Sequence, residues 1–479
     1  MKKLAETGNS KPRLSLALDT HWLKENLPRY LWREHEAPGE IGEVEIQHVR
    51  ESKKGAAVLY RVALNGDNKP AREQMYVGYV VPEDKLKDEF KAALKKGKIP
   101  PPVGRTVALV PETNLILLAF PNDRKMRLLS AAELRLWLEE NLHDIADGAL
   151  ENRSWQVQAT KVEMLRYIPD KRFTAHCKAT LKAADGLEKE IWFIAKQIND
   201  VKRAKRLYRH LLSLRKAWAG NGTDARAQVD ANPPVRLPRA LALDEKNAVV
   251  YIEYIPGDNL KQVLFEIDIA RVMPAVGELL ANFHRAQKRV RKQVTRRNEL
   301  AEVREALHNL GKAFPALRPR LRKLFEPFRN FYWPDATPNV LLHGTYRLNH
   351  IFIHDGKLAL LDLDSLRMGH PAYDVANFLS SLYYLEAQER IDPSLRRNIA
   401  RRFLEGYAAQ APHGMPPAAV LWFLASLLLN KQANKYVTHF HEDREEKVRQ
   451  MLALAEAAFA ACRQAPDNLT CEALWKVLP

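Results

Sequence analysis

Apolar positions in the first half of the chain recur at the two-residue period of strands, and beyond Asn259 they recur at the i, i+3, i+4, i+7 spacing of helices. The strand-like half contains a repeat. VEIQHVRESKKGAAVLYRVAL, from Val44, aligns without a gap with VEMLRYIPDKRFTAHCKATL, from Val162, and MYVGYV, from Met75, then aligns with IWFIAK, from Ile191. A helical stretch follows each copy, and each copy ends in an apolar strand with a proline turn, LILLAFPND in the first and VVYIEYIPGD in the second. Order and spacing predict a duplicated module in which Val80 stands where the second copy has Lys196. Ser130 and Glu133 form a capping-box pattern, which predicts a helix over residues 130–143 between the copies. Residues 1–19 lack periodicity and read as a loose tail, while Trp22, Leu23, Leu27 and Leu31 predict a helix over 21–35.

In the second half, Val276, Leu279, Leu280 and Phe283 mark an amphipathic helix. Further helices are predicted within 300–328 and over 371–385, 393–411, 417–436 and 444–462. Residues 219–234 and 332–337 read as loops. Between the helices, residues 351–353 and 358–361 are short apolar runs separated by His354, Asp355 and Gly356, which is hairpin turn chemistry. Such a hairpin brings the polar cluster at 343–350 against the one at 362–364.

The chain has 479 residues, 46% of them hydrophobic, which is enough for two or three domains with a large core. Its three cysteines, Cys177, Cys462 and Cys471, lack metal or disulfide spacing, and a reducing, cytoplasmic location is expected. The longest apolar run, 418–429, is too short to span a bilayer and predicts a core helix. A net charge of +17 favours phosphates or an anionic membrane face over polycations such as aminoglycosides, which are not expected to be turned over. This charge concentrates in 202–216 and 285–297, both of which look helical. Aromatic residues are not interleaved with it, which argues against nucleic acid. His439, His441, Glu442 and Asp443 do not read as a metal site, since histidines at i, i+2 leave a helix on different faces.

The segment LLHGTYRLNHIFIHDGKLALLDLDSLRMGHPAYDVANFL, from Leu341, resembles the catalytic segment of the aminoglycoside phosphotransferase and choline kinase families, relatives of the protein kinases. Their pattern is HGDxxxxN, a short hairpin, IDxD or IDxE, and a downstream GxPxxDxA. His343 and Gly344 match its first two positions, and Arg347 falls where the superfamily is often basic. Asp362 matches the metal-binding Asp, and Gly369, Pro371, Asp374 and Ala376 match the last element. Two positions depart from the pattern. Thr345 replaces the catalytic Asp and His350 replaces the metal-binding Asn.

The resemblance, which covers about two thirds of the chain from near Glu151, implies an α+β fold of the protein-kinase-like, two-lobe kind with an additional N-terminal small-lobe-like module. The boundaries expected are 1–40 for a tail and helix, 41–150 for the degenerate repeat, 151–256 for the small lobe and 257–479 for the helical large lobe. It implies ATP and Mg²⁺ as cofactors, a nucleotide and a small-molecule substrate as partners, and transfer of the γ-phosphate to a hydroxyl of a neutral or anionic metabolite, sugar or lipid head group. The residues it implies are His343, Thr345 and Arg347 for catalysis, Lys196 with the hinge residues Glu253 and Tyr254 for nucleotide, and Asp362, His350 and Asp364 for metal. The helix over 201–218 carries no Glu to orient Lys196. Asp374 and His284 are expected to be structural. Thr345 leaves two readings open. One is an enzyme in which positioning suffices, with His343, His350 or Asp364 taking the proton; the other is an inactive kinase-like module that binds nucleotide or a protein through its N-terminal repeat. A weaker third reading is a basic peripheral protein that phosphorylates or recognises an anionic glycolipid.

Overall fold

The computed structural model of the chain describes residues 11–32, 40–52, 55–66, 69–146, 154–219, 235–332, 339–411, 415–438, 443–465 and 469–479. Residues 1–10 of the expected tail, the loop at 220–234, most of 332–337, and His439, His441 and Glu442 lie outside the described residues. The chain forms two compact units, residues 1–208 with 241–254, and residues 209–240 with 255–479.

The first unit opens with three short helices, α1 (Lys11–Ala17), α2 (Thr20–Asn26) and α3 (Pro28–Leu31). The helix expected over 21–35 is therefore broken. Pro28 has no amide proton to continue α2 and suits the first position of α3. Part of the expected tail is also ordered, because Ala17 is buried and its carbonyl accepts the Tyr60 hydroxyl at 2.7 Å. The strands β1 (Glu40–Ser52), β2 (Gly55–Gly66) and β3 (Lys69–Val80), the helix α4 (Glu83–Lys96), and β4 (Val107–Val110) and β5 (Leu115–Ala119) build a sheet of order β1-β2-β3-β5-β4. After α5 (Ala131–Ala146) come β6 (Trp155–Ile168), β7 (Arg172–Ala183), β8 (Glu188–Ile198) and α6 (Val201–Ala219). The short β9 (Val235–Arg236) belongs to the second unit, and β10 (Ala240–Asp244) and β11 (Val249–Glu253) complete a sheet of order β6-β7-β8-β11-β10. Element for element, the second sheet has the strand order of the first.

In the first sheet Val80 pairs with Ala56 and Leu115, and in the second Lys196 pairs with Thr174 and Val250. Tyr79, the neighbour of Val80, lies on the opposite face of its strand.

The two sheets share one apolar core. Leu59, Val77, Tyr79 and Leu118 of the first pack in the same cluster as Phe173, Ala175, Cys177 and Phe193 of the second and Leu134, Leu138 and Leu142 of α5. The capping box holds α5 in place, since Ser130 and Glu133 exchange backbone-to-side-chain bonds of 3.1 and 3.2 Å. The other face of the first sheet packs Val58, Tyr60 and Val62 against Leu23, Leu27 and Leu31 of the opening helices. Burial on both faces explains why β2 is almost continuously apolar, whereas β7 alternates. Lys196, between Ala195 and Gln197, points away from the shared core.

At one edge of that core lies a buried ionic cluster. Asp170, in the left-handed conformation (φ 62°) between β6 and β7, accepts from Arg124 at 2.8 Å, from Arg50 at 3.2 Å and from the Tyr79 hydroxyl at 2.9 Å. Its amide donates to Asp123 at 2.8 Å, and the Arg124 guanidinium lies 4.2 Å from the centre of the Tyr79 ring. Tyr79 of the first sheet thus grips the turn between β6 and β7 of the second.

The second unit is mainly helical, with a small sheet of order β12-β14-β15-β9, where β12 is Asp258–Asn259, β14 is Ile351–His354 and β15 is Lys357–Leu360. Its helices are α7 (Ile269–His284), α8 (Arg296–Ala313) and α9 (Arg318–Asn330), then, after the strands described below, α10 (Ala372–Ala387), α11 (Pro393–Gln410), α12 (Pro417–Leu427), α13 (Asn434–Thr438) and α14 (Arg444–Gln464). Of the two basic stretches expected to be helical, 202–216 lies in α6, but residues 285–295 are not helical. Val294 donates to the Met368 carbonyl and Met368 to that of Lys292, both at 2.8 Å, and this pairing competes with a helix. Among the described residues no helix is long and apolar enough to cross a membrane.

Breaking the ionic cluster should loosen the first unit. Arg124→Ala leaves Asp170 facing only Arg50 and Tyr79 and should cost about 3 kcal/mol, the low end for a buried pair that loses one partner. Tyr79→Phe removes one bond to a buried carboxylate and should cost about 2 kcal/mol. Urea unfolding midpoints that match wild type in both variants would refute this role.

Candidate active site

The catalytic segment is framed by two strand pairs. β13 (Val340–Leu342) pairs with β16 (Arg367–Gly369), and between them β14 (Ile351–His354) and β15 (Lys357–Leu360) form the hairpin. Its turn uses Asp355 (φ 48°) and Gly356 (φ 72°), the left-handed pair that a two-residue hairpin turn requires. Just beyond the open end, the Leu361 amide donates to the His350 carbonyl at 2.8 Å, so the two polar clusters meet as the hairpin pattern implies. Gly344 has φ 84°, and a Cβ there would come within 2.4 Å of the Ser365 carbonyl oxygen, which leaves no room for a side chain.

Asp374, fully buried at the start of α10, holds the first cluster in place. It accepts from the amides of His343 at 2.6 Å and Gly344 at 2.8 Å, and from His284 Nε2 at 3.4 Å. Burial alone would raise its pKa, but the bond to His284, that ring's charge and the Gly344 amide together hold the carboxyl below its ordinary value. Because the carboxylate only accepts, His284 carries a proton on Nε2, and its Nδ1 shares a hydrogen bond with the Tyr407 hydroxyl at 2.9 Å. His284 and Asp374 are thus structural. Gly344's carbonyl accepts from Asn377 at 3.1 Å and from Lys431 at 3.3 Å.

His343 has both ring nitrogens engaged within the protein. It is fully buried, its Nε2 donates to the Leu361 carbonyl at 2.9 Å, and its Nδ1 faces the Thr345 amide at 3.3 Å and hydroxyl at 3.4 Å. Burial lowers its pKa and keeps the ring neutral. Its work is to tie the loop to the strand end at Leu361. Thr345 is half-buried beside it.

His350 is also committed. Its Nδ1 donates to the Thr345 carbonyl at 2.8 Å, so its Nε2 is an acceptor, and Arg347 donates to that nitrogen from Nε at 3.1 Å and Nη2 at 3.0 Å. Burial first, and then the charge of Arg347, push its pKa down to about 3. It is therefore neutral near neutral pH and too weak a base to take the acceptor proton. Asp362 Oδ2 lies 3.3 Å from the same Nε2. The lone pair that could ligate a metal is thus already taken by a guanidinium, and His350 does not fit the role of metal ligand. Asp362 (φ 59°) has a side chain 27% exposed, and Asp364 follows in the single turn Leu363–Ser365. Among the described residues no group of three or more His, Cys, Asp and Glu side chains converges as a metal cage. Mg²⁺ does not need one, since it is commonly held by one or two carboxylates with phosphate and water oxygens.

In the first unit Lys196 sits in β8 and Glu253 ends β11, opposite Phe193. The Tyr254 ring stacks on His176 at 4.4 Å, and Trp192 also stacks on that histidine at 5.0 Å, 6.5 Å from Tyr254. The Tyr254 side chain is thus engaged with its own sheet.

Two lysines near the loop escaped the sequence reading. The stretch 417–436 forms three pieces, because the π-helical Leu428–Ala433 separates α12 from α13. That wider turn, a feature frequent at functional sites, carries Lys431 to the Gly344 carbonyl. Lys435, one turn on, donates to Gln432 at 2.6 Å and lies 3.7 Å from the centre of the Tyr384 ring. Burial, followed by the charges of Arg367 and Arg347 respectively, lowers Lys431 to about 8 and Lys435 to about 7. The available signal was two lysines four apart directly after an otherwise apolar run.

Residues 223–414 match the family model described as phosphotransferase enzyme family. No curated protein matches the chain. Among solved structures, a choline/ethanolamine kinase family protein from Mesorhizobium loti is similar at 14% identity, covering 63% of this chain and 88% of its own, with a TM-score of 0.36. A choline kinase from Cryptosporidium parvum shows 13% identity over 64% and 90%, with a TM-score of 0.41. A spectinomycin phosphotransferase, solved with ADP and spectinomycin, shows 11% identity over 71% and 100%, with a TM-score of 0.42. The matched stretch takes in the loop at 343–350, the hairpin and Asp374.

Proposed function

We propose that the protein is an ATP- and Mg²⁺-dependent phosphotransferase that moves the γ-phosphoryl group to a hydroxyl of a small neutral or anionic molecule, such as a metabolite, sugar or lipid head group. The observation that carries this reading is the loop at 343–350, fixed through two amides by buried Asp374, with the partly exposed Asp362 beside it. Asp362 would hold Mg²⁺, with Asp364 as the second carboxylate of the same turn; bound there, the ion would neutralise charge on the phosphates. Lys196 is taken as the lysine for the α and β phosphates, and the backbone at Glu253 and Tyr254 as the adenine contact. In the transfer, the acceptor oxygen bonds to the γ-phosphorus as the bond from that phosphorus to the leaving ADP oxygen breaks. In a loose transition state the acceptor proton departs late and can pass to a phosphoryl oxygen or to water. Thr345 cannot act as a base near neutral pH, so rate is expected to rest on positioning and charge.

The second reading is a kinase-like module that binds nucleotide without turnover, and the observation favouring it is the pair of departures, Thr345 and the guanidinium-bound His350. A contact of the N-terminal module with another protein, or of the basic surface with an anionic membrane, would suit either reading.

Nucleotide binding is tested by thermal unfolding. With Mg-ATP at 100 times its Kd, wild type should gain about 2.7 kcal/mol of apparent stability. Lys196→Ala and Asp362→Ala should each reduce that gain; equal shifts in all three proteins would remove the assignment of these residues.

The two readings part at position 345. Thr345→Asp, alone or with His350→Asn, should raise phosphotransfer or ATP hydrolysis by about 10²-fold or more if a missing base limits the rate. Tight Mg-ATP binding by wild type with no turnover in the double variant, across a panel of hydroxyl compounds, would favour the binding module.

A further inference from the structure

A cavity of about 110 Å³ opens beside the catalytic loop, on the side of Arg347 that faces α10. Three cationic side chains line it, each from a different element: Lys261 just after β12, Arg347 from the loop and Lys435 from α13. Ser381 and Tyr384, at i and i+3 of α10, and Gln388, the residue that caps it, add hydroxyl and amide groups. None of its lining residues is Asp or Glu.

Gathering three cations in one partly buried hollow is unfavourable by mutual repulsion and by lost hydration. Both costs register at the amines: burial, then Arg390 and Arg347, lower the pKa of Lys261, and burial, then Arg347, Lys431 and Lys261, lower that of Lys435. Solvated lysines would splay apart, yet Lys435 is held in the hollow by the Tyr384 ring and Gln432. A bound anion relieves the repulsion, and Lys and Arg side chains are the usual donors to phosphate and carboxylate. Space is adequate, since 110 Å³ is several times the 10–15 Å³ that one water requires. The hollow adjoins the reaction residues through Arg347, which lines it and also donates to His350, itself 3.3 Å from Asp362.

We infer that this cavity binds the anionic group, a phosphate or a carboxylate, of the hydroxyl compound that is phosphorylated. The inference rests on the phosphotransferase reading for the word acceptor, and on the cavity alone for the word anionic. The same cations repel polycationic aminoglycosides.

The test is calorimetric titration of the full chain with inorganic phosphate, in the presence of Mg²⁺ and a saturating non-hydrolysable ATP analogue so that the nucleotide's own phosphate sites are filled. Saturable binding is expected, weakened about tenfold or more in Lys261→Met and in Lys435→Gln, as loss of a charge-assisted donor implies. Lys312→Gln, an equal charge change at an exposed position of α8, should leave it unaltered. Absence of saturable binding, or equal affinity in all four proteins, overturns the inference. A second measurement needs no variant: kanamycin should not bind wild type, and saturable kanamycin binding would also overturn it. Parallel titrations with a soluble sugar phosphate and with phosphatidylglycerol vesicles identify the carrier of the anion, and binding in neither counts against it. If the analogue binds and phosphate does not, this inference fails while the phosphotransferase reading stands. If phosphate binds at the two lysines and the analogue does not, the phosphotransferase reading fails and the anion cavity stands.

Discussion

One buried carboxylate organises the second unit. Asp374 sits where an ionised group is costly, and it is stabilised there by two backbone amides and a histidine that a tyrosine orients in turn. Those amides belong to His343 and Gly344, so the carboxylate fixes the loop's path before any ligand arrives. Gly344 must then curve in the left-handed region against Ser365, which sets the distance between the loop and the strand end that carries Asp362. The chemistry proposed for the site needs that spacing, because phosphoryl transfer depends chiefly on position and charge.

The departures at 345 and 350 are coupled through hydrogen bonds. His350 donates to the carbonyl of Thr345 and receives the guanidinium of Arg347, so loop, histidine and arginine form one closed network. At position 350 this chain presents a neutral imidazole already satisfied by a guanidinium. Positive charge is thus supplied there by the protein itself. This is consistent with a cavity next door that has three cations and no lining carboxylate.

In the first unit the corresponding constraint is Asp170. Tyr79 of the first sheet faces into the shared core and binds the turn between β6 and β7. The opposite face of its strand, with Val80, packs in the cluster of the opening helices. The first sheet therefore works as a brace for the turn, with Arg50 and Arg124 supplying the charge that Asp170 requires.

Elements specified by short-range chemistry were legible in the sequence. Asp355 and Gly356 dictate a tight hairpin, and Ser130 and Glu133 a capped helix. The pattern from His343 to Asp374 located the loop and hairpin because loop, turn and hairpin lengths are local properties. Tertiary structure decided what depends on distant neighbours. Residues 285–295 lose their helix to pairing with Met368, a partner some 75 positions away. Tyr79 binds Asp170, 91 positions away, only because the two sheets pack on one core. His343 and His350 become a buried strut and a guanidinium acceptor only because the hairpin brings Leu361 and Asp362 to them. Lys261, Arg347 and Lys435 are separated in sequence by up to 174 positions, and nothing in local spacing could have announced that the fold would gather them in one cavity. Composition supplied the positive charge, and packing chose where it is concentrated, because repulsion and desolvation are set by neighbours in space.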